Sequence, residues 1–267
     1  MIRNKKFRYT VYKEPSFLIS EKELLRVPEL FDKYGQTIHQ ARNLIKFFDY
    51  EDKKINVKKF CVPQIINRFF YSIGIRTPKA KKSFLNAKEI LKRGFSTPQP
   101  FAYIIEREKL LIRQSYFLSE QLQNMTPIGH FCKDKDLLRA LAQYTAKMHQ
   151  KGCMHRDFTP GNILYSCEEG KYSFSLVDIN RFKFSKKPIP LLLACKNLMQ
   201  PCNDFEMLRF FVEEYRKARD IKEDLFPLVL HLKKTRNRYD DFKAALKKIP
   251  GANLLLGKPL SEKKETH

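Results

Sequence analysis

His155-Arg156-Asp157-Phe158-Thr159-Pro160-Gly161-Asn162 is the most informative stretch of this 267-residue chain, and Asp178 follows sixteen residues after Asn162. Between them stand Ile163-Leu164-Tyr165, a polar segment from Ser166 to Lys171, and Tyr172-Ser173-Phe174-Ser175-Leu176, which alternates as a half-buried strand does. Strand, turn and returning strand form a hairpin, which brings the chain back to the end it left. Asp178 is therefore predicted to lie opposite Asn162. With 6 His, 12 Asp and 12 Asn, chance would produce H-x-D-x-x-x-x-N only about 0.01 times per chain. Asp and Asn capping a loop is the plainer reading, and it leaves the spacing and the second Asp unexplained.

Outward from this stretch the chain changes character. On the N-terminal side, Ile55-Asn56-Val57-Lys58 reads as a strand, and Lys79 to Arg93 as a helix with Phe84, Ala87, Ile90 and Leu91 at helical spacing and Gly94 at its stop. Thr97-Pro98-Gln99-Pro100 interrupts, and Phe101 to Ile105 resumes as a strand with Ser115 to Leu118 as partner. Leu137, Leu141, Tyr144 and Met148 then mark a core helix ended by Gly152. A further helix is expected from Asn203 as N-cap with Glu206 three residues on, carrying Leu208, Phe211, Val212 and Tyr215. The chain stays helical to about Ile249, and the tail Ser261 to His267 is expected to be disordered. A sheet-rich front and a helix-rich back imply two lobes with a cleft between them.

The composition is globular, 43% apolar, yet 52 Lys+Arg against 29 Asp+Glu give a net charge of +23. Lys53 to Arg93 holds twelve basic residues and one acid. Such a surface suits an anionic partner. Nucleic acid, a merely solvated basic face, and an anionic lipid surface all fit the charge, and no nucleic-acid-binding motif accompanies it. The longest apolar runs, such as Ile189 to Cys195, are well short of the ~20 residues that cross a bilayer. The basic N-terminus lacks the apolar block of a signal peptide. Six scattered cysteines without a C-x-x-C pair suit reduced thiols, and a cytosolic location is expected.

Phosphoryl transfer needs metal ions that neutralise phosphate charge and a carboxylate that receives the acceptor hydroxyl. A loop from Asp157 to Asn162, five residues on, with Asp178 returned beside it, offers those groups. Here the sequence resembles the protein-kinase-like superfamily, and more narrowly the bacterial lipopolysaccharide kinases of the Kdo/WaaP family, over about residues 28 to 220. The resemblance rests on the catalytic loop, Ala41-Arg42-Asn43-Leu44-Ile45-Lys46, Val57-Lys58-Lys59-Phe60, Thr97-Pro98-Gln99-Pro100-Phe101-Ala102-Tyr103 and Val177-Asp178-Ile179-Asn180-Arg181.

It implies an α+β, protein-kinase-like bilobal fold with a small β-rich N-lobe carrying one main helix and a larger α-helical C-lobe. The expected division is an N-terminal lobe over 1–118, a hinge over 119–124, a catalytic lobe over 125–257 and a polar tail over 258–267. Asp157 becomes the catalytic base or hydroxyl-orienting carboxylate, and Asn162 and Asp178 the Mg²⁺ ligands. Lys58 becomes the lysine on the α- and β-phosphates of ATP, with Lys59 its competitor; strand alternation favours Lys58, which faces opposite to Ile55 and Val57. The main chain of Glu120 and Leu122 in the hinge would meet adenine. His155 orients the loop.

The implied activity is ATP-dependent phosphorylation of a sugar hydroxyl, Kdo or heptose, of the lipopolysaccharide inner core. The partners would be lipopolysaccharide or a related anionic glycolipid and an anionic membrane surface, with no nucleic acid, at the inner face of the bacterial inner membrane. A small atypical protein kinase and a kinase-like adaptor of little activity are the alternatives.

Several features depart from the superfamily's pattern. Only Gly35 precedes the lysine strand, so the segment from Gly35 to Asn43 would have to cover the phosphates. Ser83 stands near the place of the usual helix glutamate, Glu89 points elsewhere, D-F-G is Asp178-Ile179-Asn180, Thr159 replaces the lysine common in protein kinases, and no A-P-E follows. Arg181, Lys183, Lys186 and Lys187 follow the metal aspartate, either as an acceptor-side patch or as an exposed basic loop. His149, Cys153 and His155 form a weak zinc pattern without a fourth ligand.

Overall fold

The computed structural model describes residues 7–248 apart from 41, 42, 52, 62–64, 130, 131 and 247. The 261–267 tail, the boundary at 257 and residues 41 and 42 of the family resemblance therefore lie outside the described residues. In chain order the front half contains β1 (Phe7–Lys13), α1 (Glu21–Leu24), α2 (Val27–Lys33), β2 (Gln36–Gln40), β3 (Leu44–Tyr50), β4 (Lys53–Phe60), α3 (Ile65–Ser72), α4 (Lys79–Lys92), β5 (Pro100–Glu108) and β6 (Leu111–Glu120). The six strands form one antiparallel sheet in the order β1-β5-β6-β4-β3-β2.

Both faces of that sheet are covered, which is why β5 and β6 carry apolar residues at consecutive positions, Phe101 to Ile105 and Tyr116 to Leu118. One face packs Phe60, Ile105 and Phe117 against Phe84, Ala87 and Ile90 of α4. The other packs Ile55, Val57, Ile104, Tyr116 and Leu118 beneath Leu24 and Phe31 of α1 and α2. Ser20 caps α1 in a reciprocal box with Glu23. Gly94, at φ +79°, ends α4 as expected: its N–H donates to Leu91 O (2.9 Å) and that of Phe95 to Ile90 O (3.1 Å), the bonds of a left-handed C-terminal stop. The sheet is larger than the small one expected, because β1 is added beside β5, and β3 and β2 are added beside β4.

The back half runs through β7 (Thr126–Pro127), α5 (Lys135–Gln150), β8 (Cys153–Met154), β9 (Ile163–Glu168), β10 (Lys171–Leu176), β11 (Lys183–Phe184), α6 (Leu191–Leu198), α7 (Phe205–Ala218) and α8 (Phe226–Leu246). Leu137, Leu141 and Met148 of α5 share a buried core with Leu208, Phe211, Val212 and Tyr215 of α7. The β9–β10 hairpin is tighter than expected. Its strands run to Glu168 and from Lys171, and the turn is Glu169-Gly170 alone, both at positive φ (49° and 76°), the primed geometry that suits strand twist.

The expected Asn203 cap of α7 is incorrect. Asp204 caps the helix and accepts from the Glu206 and Met207 N–H groups, while Asn203 Oδ1 accepts from Lys233 Nζ of α8 (3.1 Å). The buried Lys233 ammonium, also bonded to the carbonyls of Met199 and Cys202, requires that oxygen. The result is a protein-kinase-like, two-lobed α+β fold. Among the described residues no helix is long and apolar enough to cross a membrane.

Candidate active site

β8 delivers the chain into the loop that carries Asp157. His155 is fully buried there. Its Nε2 lies 2.8 Å from the Val177 carbonyl, which can only accept, and its Nδ1 lies 3.1 Å from the Asp157 N–H, which can only donate. The ring is thus the neutral tautomer with hydrogen on Nε2, and burial pushes its pKa down, which keeps it so. One imidazole therefore ties the Asp157 loop to the residue before Asp178. Asn162 adds two more ties: its side-chain amide donates to the Asp157 carbonyl (2.9 Å), and its own carbonyl accepts from the Val177 N–H (3.1 Å). Because the amide nitrogen is engaged, Oδ1 is the atom Asn162 can offer a cation.

Ile163 pairs with Leu176 at the open end of the hairpin, so Asn162 and Asp178 leave it side by side. Asp178 has a left-handed backbone, φ 52°, a conformation Asp tolerates better than most residues and one that recurs where a carboxylate must be aimed. Asn180 Nδ2 donates to its Oδ1 (2.7 Å), and so does Lys58 Nζ (2.5 Å). Burial works to raise the Asp178 pKa, but the Lys58 ammonium, aided by the Asn180 amide, outweighs it and holds the carboxyl below its ordinary value. Both donors use Oδ1, which leaves Oδ2 for a metal. Two hard oxygen atoms, Asn162 Oδ1 and Asp178 Oδ2, suit Mg²⁺, so the residues present fit that ion.

Lys58 and Lys59 separate as alternation requires. Lys58 points into the cleft with Asn56. Lys59 lies over the Phe31 and Tyr116 rings on the opposite face and pairs with Asp32 at 2.7 Å. The helix position opposite Lys58 is Ser83, which lines the cleft, while Glu89 pairs with Arg93 (2.7 Å). Asp178 takes the place of a helix glutamate as partner of Lys58. What α4 supplies instead is Asn86, whose buried amide donates to the Ile179 carbonyl (2.7 Å) and fastens the helix to the segment bearing Asp178. Sequence reasoning passed over Asn86. Its signal was a polar residue on the apolar stripe between Phe84, Ala87 and Ile90.

Lys58, Ser83, Asn162 and Asp178 line a cleft of about 440 Å³. Ile38, Asn43 and Ile45 of the β2–β3 hairpin form part of its wall, so that hairpin covers the cleft where no glycine-rich loop exists. Glu120, Gln121 and Leu122 lie on its far side. The Glu120 N–H donates to Gln99 O (2.9 Å) and that of Gln121 to Lys54 O (3.0 Å), and the Gln121 side chain spans Asn56 Nδ2 (2.7 Å) and Leu122 O (3.1 Å). The segment after β6 is thus held at both backbone and side chain. Asp157 is half-buried, and among the described residues no ion pair engages its carboxylate.

Two other expectations fare differently. The four cations after Asp178 do not form one patch: Lys186 lies with Lys92, Arg93 and Lys151 around a separate groove. The zinc pattern fails. Both His149 ring nitrogens are occupied, by Tyr215 Oη (2.8 Å) and Asn197 Oδ1 (2.9 Å), and both of His155 are occupied as above. No group of three metal-binding side chains of the His, Cys, Asp or Glu type occurs among the described residues.

The arrangement provides an unpaired carboxylate, two oxygen ligands for a divalent cation and an ammonium that can pass from a carboxylate to a phosphate. Comparison with known proteins gives the family and the fold. The model of the lipopolysaccharide kinase (Kdo/WaaP) family matches residues 33–188, more than half of the chain. No curated protein matches it in sequence. Among solved structures, WaaP in complex with acyl carrier protein superposes with a TM-score of 0.58 at 15% identity, over 86% of this chain and 98% of that one. An aminoglycoside-3′-phosphotransferase of type VIII superposes with a TM-score of 0.52 at 11% identity, over 80% and 98%. A Rio2 kinase from Chaetomium thermophilum, complexed with ADP/Mg²⁺ and phosphoaspartate, gives 0.48 at 15% identity, over 90% and 80%. The first two likenesses are of fold. The chain belongs to the lipopolysaccharide kinase (Kdo/WaaP) family and is a phosphotransferase.

Proposed function

We propose that this protein uses Mg²⁺ and ATP to phosphorylate a sugar hydroxyl, of Kdo or heptose, in the inner core of lipopolysaccharide. The observation that carries the proposal is the convergence of Lys58, Asn162 and Asp178 beside the Asp157 loop, laced together by His155. Asn162 Oδ1 and Asp178 Oδ2 would hold the cation, which when bound neutralises phosphate oxygens. Lys58 would leave Asp178 Oδ1 for the α- and β-phosphates. Asp157 would orient the acceptor hydroxyl and take its proton as the new O–P bond forms. The main chain at Glu120 and Leu122 would address the adenine edge, and residues 119–124 would serve as the hinge between a lobe before them and a lobe after. A net charge of +23 supports an acidic glycolipid acceptor, with the enzyme resting peripherally on the anionic inner face of the bacterial inner membrane.

Incubation with γ-labelled ATP, Mg²⁺ and either core lipopolysaccharide or a protein extract tests this. Label in the glycolipid is the expected result. Label confined to protein would replace the acceptor, and no label in either would remove the proposal.

A further inference from the structure

Three elements bring four cations together beside the catalytic loop. Asn86 fastens α4 to the turn at 179–181 through the Ile179 carbonyl (2.7 Å), and Lys82 lies one helical turn before Asn86 on the same face. Arg181 closes that turn, and Lys183 then pairs with Met154, two residues before Arg156. Lys82 is half-buried and the other three are exposed. The Lys82 pKa is pushed down, first by burial and then by the charges of Lys183, Arg156 and Arg181. Other cations on this basic chain are neutralised: Lys59 by Asp32, Lys88 by Glu14 and Arg93 by Glu89. Among the described residues no acid pairs with any of the four. Like charges gathered in this way oppose folding unless an anion joins them.

We infer that Lys82, Arg156, Arg181 and Lys183 form an acceptor-side anion site that holds a phosphate or carboxylate already present on the glycan, next to the hydroxyl that is modified. The inference rests on the kinase reading above. None of the four lines the nucleotide cleft, which sets them apart from Lys58, Asn162 and Asp178, the groups proposed to serve ATP. Arg156 immediately precedes Asp157, so an anion seated here fixes a sugar against the base. Two guanidinium groups and two ammonium groups supply donors enough for several phosphate or carboxylate oxygens at once. The enzyme would thus select an acceptor that is acidic before it is phosphorylated, and a preceding transfer of an acidic sugar or phosphate must supply it.

The test compares the wild type with the double variant Lys82→Gln, Lys183→Gln, neither of which belongs to the proposed transfer machinery. The acceptors are core lipopolysaccharide and the same material with its phosphates removed and its carboxylates esterified. The inference expects the variant to raise the acceptor KM about tenfold or more while the ATP KM stays within about twofold. Neutralising the acceptor should impose the same loss on the wild type and little more on the variant. An unchanged acceptor KM, or losses that simply add, would overturn it.

If the wild type transfers nothing to lipopolysaccharide, the acceptor reading fails by itself. The site is then read by acetylation of Lys82, which inorganic phosphate should slow severalfold relative to chloride at equal ionic strength. Equal rates would overturn the anion site.

Discussion

Acid should destabilise this protein through His149, and the size of the effect follows from its surroundings. His149 lies in the last turn of α5 in full burial. The Asn197 amide donates to the His155 carbonyl (2.7 Å), so Asn197 Oδ1 faces His149 Nε2 as an acceptor (2.9 Å). Tyr215, which accepts from Arg219 (2.8 Å), gives its hydroxyl proton to His149 Nδ1 (2.8 Å). A second ring proton, on Nδ1, would displace the Tyr215 hydroxyl proton from the bond it makes there. Burial therefore pushes the His149 pKa down to about 4, with the Arg219 charge acting in the same direction and the Asn197 bond opposing. In the unfolded chain the imidazole titrates near its ordinary ~6.5.

Below that pH the unfolded state binds a proton that the folded state refuses, so the stability present above pH ~6.5 is lost as pH falls toward about 4. The total is about 3 kcal/mol, with a slope of about 1 kcal/mol per pH unit between pH ~5 and ~6. The buried His155, shifted the same way, adds to the slope. Because the chain has no Trp, urea unfolding is followed by far-UV circular dichroism at several pH values. His149→Gln should be less stable at neutral pH yet have a slope flatter by about 1 kcal/mol per unit. Parallel slopes in the two proteins would refute the reasoning.

Other perturbations have definite outcomes. Lys58→Met should lower kcat/KM for ATP by about 10²-fold or more without unfolding the protein, and raise the Asp178 pKa because burial then acts unopposed by the ammonium, as NMR titration of the carboxylate can check. Asn86→Ala removes one of the two hydrogen bonds to the Ile179 carbonyl, leaving that from the Phe182 N–H (3.0 Å), and should cost about 1 kcal/mol in urea unfolding, with a fall in kcat because the segment bearing Asp178 is released from α4. Gly152→Ala would put a Cβ 2.2 Å from the Ser185 carbonyl oxygen and 2.8 Å from that of Lys187, at a φ of +68°. The junction of β8 and β11 must open to admit it, so a loss above about 2 kcal/mol is expected in thermal unfolding. ATP should raise the Tm only with Mg²⁺ present, and chelation should abolish that rise.

What the sequence disclosed were features set by neighbours along the chain. The loop from His155 to Asn162, the hairpin that returns Asp178 and the alternation that separates Lys58 from Lys59 each depend on short separations. The stop of α4 at Gly94 is equally local. What it concealed depends on distant partners. β1 pairs with β5 across roughly ninety residues, and α1 and α2 cover the second face of the sheet, neither of which any periodicity announces. Asn203 looked like a cap because cap preference is local, and it lost that role because a buried ammonium from α8 claimed its oxygen. Ser83 marked the missing glutamate, but only the structure reveals Asp178 as the partner of Lys58 and Asn86 as the tether. Lys82 and Arg156, seventy-four residues apart, could not be joined to Arg181 and Lys183 by inspection of the basic runs.

The central claim is that the Asp157 carboxylate acts on the acceptor while Lys58, Asn162 and Asp178 serve the nucleotide. Its most direct test is Asp157→Asn, with binding of Mg²⁺-ATP and transfer of labelled phosphate to core lipopolysaccharide measured on one preparation. The account predicts nucleotide affinity and Tm close to those of the wild type with transfer reduced by several orders of magnitude. Transfer at a wild-type rate in that variant would contradict it.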